Sequence, residues 1–204
     1  MLSNLRNGVG RLFAPLARGL LRIGVSPDAV TIVGTLGVVV GALWLFPLGY
    51  LFAGTRVCWF FAMSDALDGL MARMSGRSGP WGAFLDSTLD RFADAAVFTG
   101  ILLWLVGRGD DPVGAALALT CLVLGSIVPY ARARAEGLGM TANVGIAERA
   151  ERLTAVLTAA GLVGVGVSPV LLTVVLGVLA VASAVTVVQR MVTVRRQSLQ
   201  VAPE

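Results

Sequence analysis

The sequence predicts an all-α membrane protein, six transmembrane helices preceded by an amphipathic surface helix, and three observations carry that expectation. Of the 204 residues, 56% are hydrophobic and only 14% charged, with a mean hydropathy of +0.84. Soluble domains carry about a quarter charged residues, so water is not this chain's main solvent. Apolar runs near the length that a hydrocarbon core about 30 Å thick demands of a helix recur along the chain. Short polar turns separate them, leaving little room for a soluble domain. The charge is also sorted: the basic side is 16 arginines and no lysine, the net charge is only +4, and most of the arginines fall in alternate loops. So modest a surplus is not the footprint of a nucleic-acid binder.

Residues 1–25 lack the uninterrupted apolar core of a cleavable signal peptide, because Arg6, Arg11, Arg18 and Arg22 break them up. Leu5, Val9, Leu12, Phe13, Leu16, Leu20 and Leu21 recur at helical spacing against those arginines, as in a juxtamembrane helix lying in an anionic lipid surface. Ser26-Pro27-Asp28 caps the first run, about Ala29 to Leu48. The second runs from about Leu51 to Met74 and the third from about Trp81 to Val106, joined by a polar turn that ends at Pro80. This short connection predicts antiparallel neighbours. The fourth run, about Val113 to Tyr130, ends in a basic stretch up to Glu136; the fifth, about Leu153 to Val167, is opened by Glu148 to Arg152. Ser168-Pro169 turns the chain into the sixth, about Val170 to Val188. Residues 26–194 form the six-span domain and residues 195–204 a polar tail. Cys58 and Cys121 lack metal-ligand spacing and are expected to be buried thiols.

Thirteen arginines flank the amino-terminal segment, the second-to-third turn, the fourth-to-fifth connection and the tail, whereas Arg56 and Arg108 serve the other loops. The positive-inside rule therefore places both termini in the cytoplasm.

Asp65, Asp68, Asp86, Asp90 and Asp94 fall at the cytoplasmic ends of the second and third spans. Ionisable groups at membrane depth are costly and point to function. Asp65 and Asp68 are three apart and Asp86 and Asp90 four apart, so each pair shares one helical face. Converging carboxylates repel unless a cation lies among them. With no histidine in the chain, all-oxygen ligation suits magnesium, manganese or calcium. A pair of such ions is a recurring solution for phosphoryl chemistry. Gly69, Ala72 and Gly82 leave room for a ligand, and Arg73 offers a guanidinium suited to phosphate.

The run Asp65-x2-Asp68-Gly69-x2-Ala72-Arg73-x8-Gly82-x3-Asp86-x3-Asp90 resembles the signature of the CDP-alcohol phosphotransferase family at every fixed position. That resemblance implies a six-span, metal-dependent membrane enzyme, commonly a homodimer, with its site at the cytoplasmic face of a bacterial inner membrane. It implies that Asp65, Asp68, Asp86 and Asp90 hold Mg²⁺, two ions with Mn²⁺ as an alternative, and that Asp90 also deprotonates the acceptor hydroxyl. It puts nucleotide contacts on Asp28, Ala29, Val30, Thr31, Gly69, Arg73, Ser78 and Gly79. One departure stands out: Gly79, with Ser78 beside it, occupies a position where relatives often carry Ser or Thr. Asp94 extends the acidic stripe by a turn outside the signature, within reach of Arg91.

Outside the signature, Pro15 to Arg22, Trp59-Phe60-Phe61, Tyr130 to Glu136, Glu148 to Leu153 and Gln189-Arg190 resemble the actinobacterial phosphatidylinositol phosphate synthases. On that resemblance the substrates are CDP-diacylglycerol and inositol phosphate. The acceptor phosphate falls on Arg132, Arg152 and Arg190, with Arg134 and Arg149 as helpers. The positive-inside rule alone also predicts arginines at these helix ends. Two other readings compete: a phosphatidylglycerophosphate synthase using glycerol phosphate, and a divalent-cation transporter. Against the transporter, the outer halves of the spans are apolar.

Overall fold

Alternating caps and apolar runs along the chain give a bundle of helices; the computed structural model describes residues 13–76 and 79–201. Helix α1 covers the described residues 13–22, so the part of the amino-terminal segment that includes Arg6 and Arg11 lies outside the described residues, as does the end of the tail. Its apolar side packs Phe13, Ala17, Leu20 and Leu21 against Val30, Leu67 and Met71, and Arg18 and Arg22 are exposed. Helix α2 (Pro27–Leu45) starts where Ser26 Oγ accepts a hydrogen bond from the Ala29 amide at 3.2 Å. Pro27 and Asp28 in its first turn suit a helix amino terminus.

The second apolar run is not one straight helix. It divides at Met63 into α3 (Leu51–Ala62) and α4 (Ser64–Met74). The Ser64 hydroxyl donates to the Phe61 carbonyl at 2.5 Å, and a hydroxyl competing for the backbone ladder bends a helix. The bend sits against Gly34 of α2, where a Cβ would fall 1.7 Å from Ser64 Oγ.

Helix α5 (Pro80–Val106) returns across the bundle. The acidic faces of α4 and α5 meet as the sequence predicts, but across a gap, since both helices pack their backbones against α2 and barely against each other. Gly100 of α5 lets the two backbones meet, since a Cβ there would lie 2.4 Å from the Ala42 carbonyl oxygen.

Helix α6 (Pro112–Glu136) starts at Asp111, which accepts from the Gly114 amide at 2.8 Å and from the Thr173 hydroxyl. Those bonds hold the Asp111 carboxyl below the usual carboxylate range. The basic stretch expected after the fourth run is the last turn and a half of this helix. Helix α7 (Arg149–Gly164) packs against α3, and α8 (Val170–Val201) packs against α6 and α7. The last helix runs on past the apolar run, so residues 195–201 of the predicted tail are helical.

The core is shared between α5 (Val97, Phe98, Ile101, Leu105), α2 (Val38, Ala42), α7 (Val156, Leu157, Ala160) and α8 (Leu172, Leu176). Cys58 and Cys121 are fully buried free thiols, as expected. The outside is apolar as well: Val33, Leu36, Val40, Trp44, Leu103, Val106, Val174, Val178 and Val181 are all exposed. So continuous an apolar exterior fits lipid and not water. Among the described residues three helices, α2, α6 and α8, are long and apolar enough to cross a membrane by length and composition. The chain is an all-helical membrane protein.

Residues 137–148, between α6 and α7, are pinned by one face of α8. Thr186 Oγ1 accepts from the Ile146 and Ala147 amides, both at 3.1 Å. Arg190 donates to the Val144 carbonyl at 2.9 Å and to the Val128 carbonyl within α6 at 2.5 Å. Gln197 Nε2 donates to the Thr141 carbonyl at 2.6 Å, and its Oε1 accepts from the Thr141 amide at 2.9 Å.

Candidate active site

Because α4 and α5 lean on α2 rather than on each other, a gap opens between their charged faces. Asp65 and Asp68 enter it from α4 and Asp86 from α5, each with a carboxylate oxygen within 4.8 Å of the other two. Asp68 is buried, Asp86 half-buried and Asp65 exposed. Thr31, one turn into α2, donates its hydroxyl to Asp68 Oδ2 at 2.6 Å and fixes that carboxylate from the third side. Three anionic groups so close are stable together when a cation shares their oxygens. An all-oxygen set without histidine suits a hard divalent ion. The residues present therefore fit a metal site.

The fourth signature carboxylate is held apart from the cluster. Asp90 Oδ1 forms an ion pair with Arg149 Nη2 at 2.8 Å, and Arg91 Nη2 lies 3.7 Å from Asp90 Oδ2. Arg149 also approaches Asp65 at 3.5 Å and donates from Nε to Asp94 at 3.0 Å. Asp94, buried a turn deeper than Asp90, is faced as well by Arg91 at 3.7 Å and Arg152 at 3.5 Å. The pairing with Arg91 suggested by spacing is there, but at a longer distance than the one with Arg149.

Two cavities share the wall formed by Thr31, Asp65, Asp68 and Asp86. One, about 270 Å³, is lined by Asp28, Gly69, Ala72, Arg73, Gly79 and Gly82. It brings together most of the predicted nucleotide contacts. Ala29 and Val30 face elsewhere, into an apolar groove with Phe13, Leu20, Phe60 and Leu67; a helix turns successive residues to different sides. Ser78 lies outside the described residues. Across the mouth, Trp81 Nε1 donates to Asp28 Oδ2 at 3.0 Å. The other cavity, about 200 Å³, reaches Asp90 and Arg149 and continues over apolar side chains including Trp59, Phe61 and Leu157.

The predicted acceptor arginines are not gathered at one point. Arg149 alone of the five lines the aspartate cavity. Arg152 is 1% exposed, and beyond Asp94 it donates to the Ala147 and Gly125 carbonyls at 3.3 and 3.4 Å. Arg190 is 3% exposed and engaged by Val144 and Val128. Arg132 pairs with Glu136 at 2.9 Å on the surface, and Arg134 is exposed. Sequence reasoning missed what Thr31 does for Asp68 and that Asp94 meets Arg149, because these contacts join residues 37 and 55 positions apart.

Residues 24–188 match the family model described as CDP-alcohol phosphatidyltransferase. The chain is 50% identical over 196 residues to a phosphatidylinositol phosphate synthase of Streptomyces avermitilis, covering 93% of this chain and 80% of that one. It is 49% identical over 203 residues to the synthase of the same name from Cutibacterium acnes, covering 96% and 98%. The crystal structure of Mycobacterium tuberculosis phosphatidylinositol phosphate synthase with CDP-DAG bound superposes with a TM-score of 0.87 at 48% identity, covering 90% of this chain and 94% of that one. The same enzyme in complex with manganese and citrate gives a TM-score of 0.86 at 48% identity, covering 89% and 88%.

Proposed function

The chain belongs to the CDP-alcohol phosphatidyltransferase family, and we propose that it transfers the phosphatidyl group of CDP-diacylglycerol to a hydroxyl of inositol phosphate, releasing CMP. The observation that carries this reading is the convergence of Asp65, Asp68 and Asp86 from two helices around one point, with Thr31 behind them and a cavity on either side. Relatives at about half identity over nearly the whole chain share the name phosphatidylinositol phosphate synthase, which supports inositol phosphate as the acceptor.

Asp65, Asp68, Asp86 and Asp90 would hold divalent ions, Mg²⁺ with Mn²⁺ as an alternative; when bound, they neutralise pyrophosphate oxygens and ease departure of CMP. Arg73 binds a phosphate of the nucleotide in the cavity that also holds Asp28, Thr31, Gly69 and Gly79. The apolar groove with Ala29, Val30 and Phe60 receives an acyl chain. Asp90 accepts the proton of the acceptor hydroxyl on its carboxylate. The freed oxygen bonds to the phosphorus that bears the diacylglycerol, and the bond from that phosphorus to CMP breaks. We place the acceptor phosphate on Arg132, Arg152 and Arg190, with Arg134 beside them; guanidiniums at the cytoplasmic ends of α6, α7 and α8 support that placement.

The membrane arrangement we propose has six spans: α2, the bent pair α3 and α4, α5, α6, α7 and α8. Both termini are cytoplasmic, α1 belongs to a surface helix, and the enzyme is a homodimer in a bacterial inner membrane. The test is CMP release by purified protein with CDP-diacylglycerol and Mg²⁺, comparing inositol phosphate, inositol and glycerol phosphate. Release with inositol phosphate alone is expected. Release only with glycerol phosphate would overturn the acceptor, and metal flux without CMP release would overturn the transferase.

A further inference from the structure

Asp94 has no place in the family signature, yet it is 7% exposed at membrane depth. A buried carboxylate persists there only where cations face it. Three do: Arg149 donates from Nε to Asp94 Oδ1 at 3.0 Å, and Arg152 and Arg91 approach Oδ2 at 3.5 and 3.7 Å. Oδ2 itself is buried without a hydrogen bond, so the directional contact is the one to Arg149. The same guanidinium then reaches Asp90 Oδ1 from Nη2 at 2.8 Å. A guanidinium is a rigid planar fork, so fixing one edge fixes the direction of its other donors. Asp94, Arg149 and Asp90 thus form a chain of one charge-assisted hydrogen bond and one close ion pair running from the core into the aspartate cavity.

We propose that Asp94 is a positioning residue for the reaction: it orients Arg149, and Arg149 in turn aims the Asp90 carboxylate at the acceptor hydroxyl. This assigns Arg149 to the proton-accepting group and not to the acceptor phosphate, and it rests on the reading of Asp90 as that group. Asp90 and Asp94 both lie outside the three-carboxylate cluster, which suffices to hold a cation when Asp90 shifts, so the effect of Asp94 on cation binding is small. A misplacement of about 1 Å at a reacting group can cost about 100-fold in rate, so the effect falls on turnover.

The experiment compares wild type, Asp94→Asn, Asp94→Glu, Arg149→Lys and the Asp94→Asn/Arg149→Lys double variant, in detergent with Mg²⁺. It measures kcat and the KM of inositol phosphate by CMP release, and Mn²⁺ affinity by electron paramagnetic resonance. The expectation is a kcat fall of at least about tenfold in Asp94→Asn, KM and Mn²⁺ affinity within about twofold of wild type, and partial recovery in Asp94→Glu. The double variant should be no slower than the worse single one, because residues acting in one chain are not additive. An unchanged kcat, a rise in KM without a fall in kcat, a tenfold loss of Mn²⁺ affinity, or additive effects would each overturn the proposal. Should Asp94→Asn fail to fold, Asp94→Glu and Arg149→Lys decide instead: a lowered kcat at unchanged KM and Mn²⁺ affinity supports the proposal, and an unchanged kcat overturns it. Full activity of Asp90→Asn would instead remove the reading beneath it.

Discussion

A carboxylate does different work according to what faces it, and the five aspartates of this site show how. Asp65, Asp68 and Asp86 face one another and fit a cation, whereas Asp90 faces Arg149, and we propose that it takes the substrate proton. Replacing Asp90 with Asn keeps its size and removes its basicity, so CMP release should fall by about 100- to 10,000-fold, the usual contribution of a positioned base. Mn²⁺ binding to the same variant should persist through the other three carboxylates. Thr31 is the quieter partner. Its 2.6 Å bond orients Asp68, and groups that orient a metal ligand are worth about 10- to 100-fold in metal affinity. Thr31→Val, nearly isosteric, should weaken Mn²⁺ binding by about tenfold, read by electron paramagnetic resonance titration, while the helical circular dichroism stays unchanged.

At the scale of helices, two devices hold the site open and in register. One is the α2–α5 seam, where Gly100 lets the chains approach. Gly100→Ala drives a methyl into the Ala42 carbonyl and should cost about 1–3 kcal/mol as overpacking, seen as a lower unfolding midpoint in detergent. The other is the face of α8 that pins residues 137–148. Thr186 satisfies two amides with one oxygen, and Thr186→Val leaves both without it. Each buried donor left unpaired costs about 1–3 kcal/mol. The loss should show as faster hydrogen exchange confined to residues 144–148. Removing metal has the opposite reach: a chelator should abolish CMP release without unfolding the bundle, because the core of α2, α5, α7 and α8 is held by apolar packing that needs no cation.

For the whole molecule, lipid is the solvent that decides orientation. Cys58 and Cys121 are fully buried, so a single new cysteine reports its own side of the membrane. Ser198→Cys near the carboxyl terminus and Ser168→Cys in the α7–α8 turn, both exposed in the structure, should be labelled by an impermeant maleimide from opposite faces, Ser198→Cys from the cytoplasm. Labelling of both from one face would contradict the six-span arrangement.

Composition and spacing by themselves determined that this is an all-helical membrane chain, and they singled out Asp65, Asp68, Asp86 and Asp90, which line one cavity. Both conclusions rest on periodicities written locally: apolar runs long enough to span lipid, and carboxylates three or four residues apart on a helical face. The tertiary structure alone decided how the helices share that site. The lean of α4 and α5 onto α2, the Thr31 bond to Asp68 and the chain from Asp94 through Arg149 to Asp90 all join residues far apart in sequence. The arginines make the difference plain. Sequence places Arg149, Arg152 and Arg190 alike at cytoplasmic helix ends, since one topological rule explains all three. Packing separates them, turning Arg149 to the aspartates, Arg152 between Asp94 and the Ala147 and Gly125 carbonyls, and Arg190 to the loop carbonyls.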